Sequence, residues 1–134
     1  MSVTTDQASI EQLSEEYFAA WAARDPKRIA ELHTEDTRFQ IHANSEPTVG
    51  REAVQAEFAK LFEQWPNFTF ETHRVLIADD HWVLDWSLLS SGGPAGDVRF
   101  DCLDVVTVVD GRVARKDTYI DSAQLQSALG GSAQ

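Results

Sequence analysis

The stretch VRFDCLDVVTVVDGRVARKDTYID, residues 98–121, decides the fold. Over residues 98–109 the even positions are apolar apart from Asp104, and this period of two predicts a β-strand. Asp110 and Gly111 are typical of a tight turn, so residues 112–121 are expected to return as the paired strand. The stretch therefore predicts a β-hairpin that carries one carboxylate on its apolar face.

That carboxylate has two interpretations. A charge without a partner is poorly solvated on an apolar face, so Asp104 is costly there unless something compensates for it. In the functional interpretation, a protonated carboxyl group donates a hydrogen bond to a substrate oxygen. In the structural interpretation, Asp104 is paired with a base or with backbone amides and stabilises the sheet. The alternation of residues alone leaves both open.

The length of the turn determines which residue faces Asp104. A two-residue turn would place Asp104 opposite Asp117, and two like charges in that position repel each other. A three-residue loop over 109–111 shifts the register by one and places Asp104 opposite Lys116. We therefore expect the three-residue loop, with Lys116 as the counter-ion. This register also places two further residues on the Asp104 side, Thr118 and Ile120.

Outside the hairpin, helical periodicity comes first and strand periodicity follows. The predicted elements are helices over 6–23, 25–32, 51–65 and 122–129, and strands over 37–41, 68–78, 81–90, 98–109 and 112–121. Helices followed by an antiparallel meander indicate an α+β fold in which three N-terminal helices wrap one face of a curved antiparallel sheet. We expect a single domain over 1–134, ordered over about 6–129.

The composition excludes several classes of partner. The chain has 134 residues, and 22 acids against 11 Lys and Arg give a formal net charge of -11. Such a charge disfavours nucleic acid and anionic membranes. No apolar stretch is long enough for a membrane span or a signal peptide, so we expect a soluble, cytoplasmic protein. With Cys102 as the only cysteine and no histidine pair at ligand spacing, no disulfide, metal or cofactor is expected.

Four segments together resemble the nuclear transport factor 2-like superfamily, and within it the SnoaL-like and ketosteroid isomerase-like proteins. They are YFAAWAARDPKRIAELH at 17–33, ED at 35–36, GREAV at 50–54, and the run from LDV at 103–105 through DGRV at 110–113 to YID at 119–121. The resemblance implies a cone-shaped, cystatin-like α+β barrel with a ligand pocket at its wide end. It also implies a homodimer.

The resemblance assigns roles to particular residues. Tyr17 and Asp104 match the tyrosine and the protonated aspartic acid that form the oxyanion hole of ketosteroid isomerases. The carboxylate base of those enzymes corresponds to Ile41, which cannot transfer a proton. Two tyrosines that support the oxyanion-hole tyrosine correspond to His33 and Phe58. The resemblance therefore retains the oxyanion-hole pair and lacks the base.

The first hypothesis is an enzyme with Asp104, Tyr17 and His33 as catalytic residues. Tyr17 and Asp104 would polarise a carbonyl group, and His33 would transfer a proton near neutral pH. The reaction would be a cofactor-free isomerisation, cyclisation or dehydration of an apolar, oxygenated small molecule. Epoxide hydrolysis is not expected, because the last acid of its Asp-Arg-Asp arrangement matches Thr118.

Two other hypotheses keep the same fold. The missing first-strand carboxylate favours a non-catalytic domain that binds a ligand or forms a dimer. The third hypothesis is a domain whose pocket is filled with side chains, without a cavity behind Trp86. If a pocket is present, its predicted lining is Ile41, Phe58, Leu84, Trp86, Phe100, Cys102, Lys116, Thr118 and Ile120.

Overall fold

A computed structural model describes residues 7–42, 46–65, 67–93 and 96–128. Its elements are α1 (Gln7–Ala22), α2 (Pro26–Glu31), β1 (His33–His42), β2 (Thr48–Val49), α3 (Arg51–Gln64), β3 (Thr69–Ile77), β4 (His81–Gly93), β5 (Gly96–Val109), β6 (Arg112–Ile120) and α4 (Ser122–Ala128). The predicted α+β fold and its element order are confirmed, and β2 is an additional strand. Residues 6 and 129, the predicted limits of the ordered core, lie outside the described residues.

All six strands form one curved, unclosed sheet in the order β2-β1-β6-β5-β4-β3. Strands β3 to β6 form the predicted antiparallel meander. Strand β1 instead pairs with β6 in parallel, so the sheet is mixed rather than wholly antiparallel. The direction of β1 could not be read from local periodicity, because no hairpin connects β1 to β6 and most of the chain separates them.

The hairpin between β5 and β6 turns through two residues. Asp110 and Gly111 both have a left-handed backbone, with φ of 53° and 78°, and Val109 pairs with Arg112. The prediction of a three-residue loop is therefore wrong. It assigned a left-handed conformation to glycine alone, whereas aspartate also adopts this conformation in the two-residue turns that suit the twist of a hairpin.

A β-bulge at Ala114 then shifts the register between the two strands. As a result Asp104 lies opposite Thr118, so the repulsive pairing with Asp117 that a regular two-residue hairpin would give does not occur. The predicted pairing of Asp104 with Lys116 is also wrong. Lys116 nevertheless lies two residues before Thr118 on the same face, which keeps it diagonally adjacent to Asp104.

The helices bury the apolar stripes that the periodicity predicts. On α1, Ile10, Leu13 and Tyr17 are buried against the core. The Asp25 carboxylate caps α2 by accepting a hydrogen bond from the backbone N–H of Arg28, at 3.2 Å. In the described part of the chain, no helix is both long and apolar enough to cross a bilayer.

Candidate functional site

A cavity of about 180 Å³ lies between the concave face of the sheet and the helices. Most of the predicted pocket residues line it, together with Tyr17 and Asp104: they are Ile41, Leu84, Trp86, Phe100, Cys102, Lys116, Thr118 and Ile120. His33 and Phe58 do not line the cavity and are wholly buried in the core. Because a cavity lies against Trp86, the hypothesis of a pocket filled with side chains is wrong.

Strand register places the polar residues of the cavity in two neighbouring rows. The first row crosses the sheet from Ile41 through Thr118 and Asp104 to Leu84. The second row crosses from Phe39 through Lys116 and Val106 to Trp82. Thr118, Asp104 and Lys116 therefore form one polar patch, which two strands build and apolar side chains surround.

Asp104 is almost fully enclosed, with 3% of its surface exposed, and both of its carboxylate oxygens have a partner. The Thr118 hydroxyl donates a hydrogen bond to Oδ1 at 2.8 Å. The Lys116 ammonium lies 3.7 Å from Oδ2 and forms a buried ion pair. The structural interpretation of Asp104 requires an ion pair with a basic residue, and Lys116 provides it. The same ion pair also puts a proton acceptor beside a cation on the cavity wall.

Lys116 lies inside a cage of four aromatic rings. Its Nζ is 4.2 Å from the centroid of Trp21, 5.0 Å from that of Tyr17, and 5.7 and 6.0 Å from those of Phe58 and Phe39. Burial lowers the pKa of Lys116, and the charge of Asp104 opposes that change. Sequence reasoning identified the lysine but missed the cage, because its rings come from three separate elements and each ring has ordinary core spacing.

Behind the cavity wall, Tyr17 begins a chain of buried hydrogen bonds. The Thr37 hydroxyl donates to the carbonyl oxygen of Val113 at 3.2 Å, so it accepts a hydrogen bond from Nδ1 of His33 at 2.8 Å. His33 then has an unprotonated Nε2, which accepts from the Tyr17 hydroxyl at 2.8 Å. The proton of Tyr17 therefore points into the core and not into the cavity.

The environment of this chain keeps its members uncharged. Burial, with the charges of Lys116 and Arg51, lowers the pKa of His33 to about 3. Burial also raises the pKa of the Tyr17 hydroxyl well above its usual range. His33 is thus a neutral core residue, and both of its ring nitrogens form hydrogen bonds. It lies behind Tyr17 and does not reach the cavity. Its predicted role in proton transfer stays a prediction.

The other polar groups on the wall offer limited chemistry. Burial raises the pKa of the Cys102 thiol, which disfavours a thiolate nucleophile there. The indole N–H groups of Trp82 and Trp86 are buried without a hydrogen-bond partner. Among the described residues, no three His, Cys, Asp or Glu side chains converge in a way that would hold a metal ion. The reactive groups of the wall are therefore Asp104 and Lys116.

Comparison with known proteins gives the relatives of this fold. A family of SnoaL-like domains matches residues 14–116. A protein from Jannaschia sp. CCS1 that is named as a SnoaL-like polyketide cyclase is 22% identical and superposes with a TM-score of 0.83, over 100% of this chain and 99% of that one. No curated protein sequence shows significant similarity to the chain.

Two further solved structures carry names from different enzyme classes. A protein from Kribbella flavida DSM 17836 that is named as a ketosteroid isomerase is 22% identical, with a TM-score of 0.72 over 90% of this chain and 82% of that one. An LEH-like epoxide hydrolase from M. tuberculosis is 16% identical, with a TM-score of 0.76 over 93% and 92%. At these identities the structures share the fold, and the match over residues 14–116 shows that the chain belongs to the SnoaL-like domain family.

Proposed function

We propose that the cavity binds a small, neutral, largely apolar carbonyl compound, and that the chain acts on it by cofactor-free acid–base chemistry. The observation that carries this proposal is the buried pair of Asp104 and Lys116 on the wall of an otherwise apolar cavity. The reaction would be an isomerisation, cyclisation or dehydration through an enolate. Structural neighbours named as a ketosteroid isomerase and a polyketide cyclase support this range of reactions.

Charge and volume indicate the type of ligand. Asp104 and Lys116 balance each other, so a charged ligand would add an uncompensated charge to a buried site. A cavity of about 150 Å³ holds benzene, and the cavity here measures about 180 Å³. A single ring with short substituents and one carbonyl oxygen therefore matches both the charge and the size of the site.

The two charged groups have complementary roles in this chemistry. The Lys116 ammonium can donate a hydrogen bond to the carbonyl oxygen and stabilise the negative charge that develops on it. The Asp104 carboxylate, 3.7 Å from that ammonium, can accept the proton from the carbon beside the carbonyl. This assignment gives Asp104 the role of base. Ile41, at the position on β1 that holds the base in ketosteroid isomerases, cannot take this role because its side chain is apolar.

Exchange of the α-protons of cyclohexanone for deuterium tests this function. In D₂O at neutral pH, followed by NMR, we expect the protein to accelerate the exchange and Asp104→Asn to reduce the acceleration about 100-fold or more, the size typical of a lost general base. Asp97→Asn, at an exposed position on the same strand, is the control and should exchange like the original protein. Circular dichroism establishes that each variant is folded.

The second candidate is a non-catalytic domain that binds the same kind of ligand. It is favoured by two observations: Ile41 occupies the position of the base, and both oxygens of Asp104 already have partners. Saturable binding of cyclohexanone, without faster exchange than in buffer, would contradict the acid–base proposal and support this candidate.

A further inference from the structure

We propose that Lys116 is an amine nucleophile that captures a small apolar aldehyde or ketone in the cavity as an iminium, with Asp104 moving the protons. This inference rests on the proposed function for the kind of ligand, and it adds a covalent step. In the structural interpretation, Lys116 is only the counter-ion of Asp104.

The position of Lys116 suits a nucleophile. Its side chain lines the cavity, and 8% of the surface of that side chain is exposed. The other two lysines of the chain, Lys27 and Lys60, are exposed on helices and do not line the cavity. Lys116 is thus the only one of the three lysines that a ligand in the cavity can contact.

The surroundings of Lys116 favour the neutral amine more than water does. Removal from water destabilises the ammonium, which lowers the pKa of the group in spite of the opposing charge of Asp104. Only the neutral amine has the lone pair that attacks a carbonyl carbon, and desolvated lysines are activated in this way. The carboxylate at 3.7 Å supplies an acceptor for the proton that must leave.

The proposed step balances without any additional reagent. Asp104 takes one proton from the ammonium, and the neutral amine attacks the carbonyl carbon, forming a C–N bond while the C=O π bond breaks. A proton moves from nitrogen to the alkoxide to give a carbinolamine. Asp104 returns its proton to that oxygen, which leaves as water, and the nitrogen lone pair forms the C=N bond. One ammonium and one carbonyl compound therefore give one iminium and one water.

The hydrogen bonds around the cavity also favour an iminium over an oxyanion hole. The Tyr17 hydroxyl donates to His33, and Asp104 accepts from Thr118, so neither group presents a proton to a substrate oxygen. Lys116 is then the remaining group on the wall that can activate a carbonyl carbon. As an iminium it withdraws electrons from the neighbouring carbon more strongly than a hydrogen-bonded carbonyl does, and this reduces the need for a strong base.

Reductive trapping with benzaldehyde and sodium cyanoborohydride tests the inference. Benzaldehyde is a single ring without an α-proton, so it forms an imine but cannot enolise, and the result is independent of the acid–base reaction. Peptide mapping of the original protein should place a benzyl adduct on Lys116 in excess over the exposed Lys27 and Lys60, because burial lowers the pKa of Lys116 and a bound aldehyde lies against this lysine alone. The variant Lys116→Met should lose that adduct, and Lys60→Met should retain it.

The outcomes separate the inference from the proposed function. Quenching of tryptophan fluorescence by benzaldehyde, without reductant, shows that the cavity is occupied. Occupation with adducts only at Lys27 or Lys60, or with none, would overturn the inference even if cyclohexanone exchange is accelerated. An adduct on Lys116 supports it even if no exchange occurs. The mapping of the original protein needs no variant, so a Lys116→Met chain that fails to fold does not affect the result.

Discussion

At the scale of single residues, the core of this protein contains two kinds of polar group, which solve burial differently. Asp104 and Lys116 compensate each other's charge, and together they contact the cavity. His33 avoids a charge altogether, with one nitrogen donating to Thr37 and the other accepting from Tyr17. The first solution leaves reactive groups beside the cavity, and the second makes a rigid support behind them.

The neutral state of His33 predicts how stability depends on pH. Its pKa falls from 6.5 to about 3 on folding, so between these values the unfolded chain binds a proton that the folded chain does not. The stabilising contribution is therefore complete above about pH 6.5 and declines as the pH falls towards 3. We expect the original protein to lose about 3 kcal/mol more unfolding free energy than His33→Gln does when the pH is lowered from 7 to 4. Urea unfolding at both pH values measures this difference.

The charges facing His33 come from Lys116 and Arg51, whose side chain donates two hydrogen bonds to the His33 carbonyl oxygen. The control is the same substitution at the partly exposed His81, which should leave the pH dependence closer to that of the original protein than His33→Gln does. Parallel pH profiles for the original protein and His33→Gln would contradict a buried neutral histidine.

The single-residue features were not equally predictable. Asp104 could be identified because one strand face is otherwise apolar, and alternation shows such an interruption directly. The hydrogen bond from Tyr17 to His33 joins α1 to β1 across sixteen residues of sequence, and the cage around Lys116 joins α1, β1 and α3. These contacts depend on how the helices pack against the sheet. The periodicity within one helix or strand carries no information about that packing.

At the scale of elements, the β5–β6 hairpin depends on two consecutive left-handed residues. An added Cβ at Gly111 would meet no atom within 4 Å, so Gly111→Ala has only a conformational cost, expected at about 1–2 kcal/mol. Asp110→Gly replaces a residue at φ 53° with glycine, which adopts this conformation without strain. The greater flexibility of glycine in the unfolded chain offsets that gain in stability. We expect Asp110→Gly to change the unfolding free energy by less than about 0.5 kcal/mol.

Urea unfolding of both variants and of the original protein measures these differences. The pair is its own control, since the substitutions are adjacent and both lie in the same exposed turn. Equal losses of stability in the two variants would contradict the left-handed two-residue turn and indicate a different loop.

The same hairpin shows where sequence reasoning failed at this scale. The strands, their faces and the position of the turn were all predicted from residues 98–121, whereas the register was not. A bulge at Ala114 sets the register. An alanine within a strand gives no indication from sequence that a bulge occurs there. Charge repulsion correctly excluded Asp104 opposite Asp117, but a three-residue loop and a two-residue turn followed by a bulge both avoid that pairing.

At the scale of the whole molecule, the outer face of the sheet carries a row of apolar side chains. The neighbouring residues Leu76, Val83 and Val105 form a row across β3, β4 and β5. Half of the surface of Leu76 is exposed, and Tyr119 on β6 is 44% exposed. We propose that this row is part of a protein interface and that a second copy of the chain covers it in a homodimer.

The charge of the chain predicts that the proposed dimer is sensitive to salt. Each copy carries a formal net charge of -11, so two copies repel each other, and added salt screens that repulsion. We expect light scattering coupled to size-exclusion chromatography to give twice the chain mass of 15.0 kDa, with a dimer fraction that rises with salt concentration. Leu76→Glu should give the monomer mass, because it places a charge in the apolar row.

Ala56→Glu adds the same charge at an exposed position on α3 and controls for the change in net charge. It should remain dimeric at a salt concentration at which Leu76→Glu is monomeric. A dimer that survives Leu76→Glu would show that another surface forms the interface, and a monomer mass for the original protein at high salt would contradict the homodimer. Since the cavity opens on the concave face and Leu76 lies on the outer face, Leu76→Glu should leave benzaldehyde binding unchanged, which separates assembly from ligand capture.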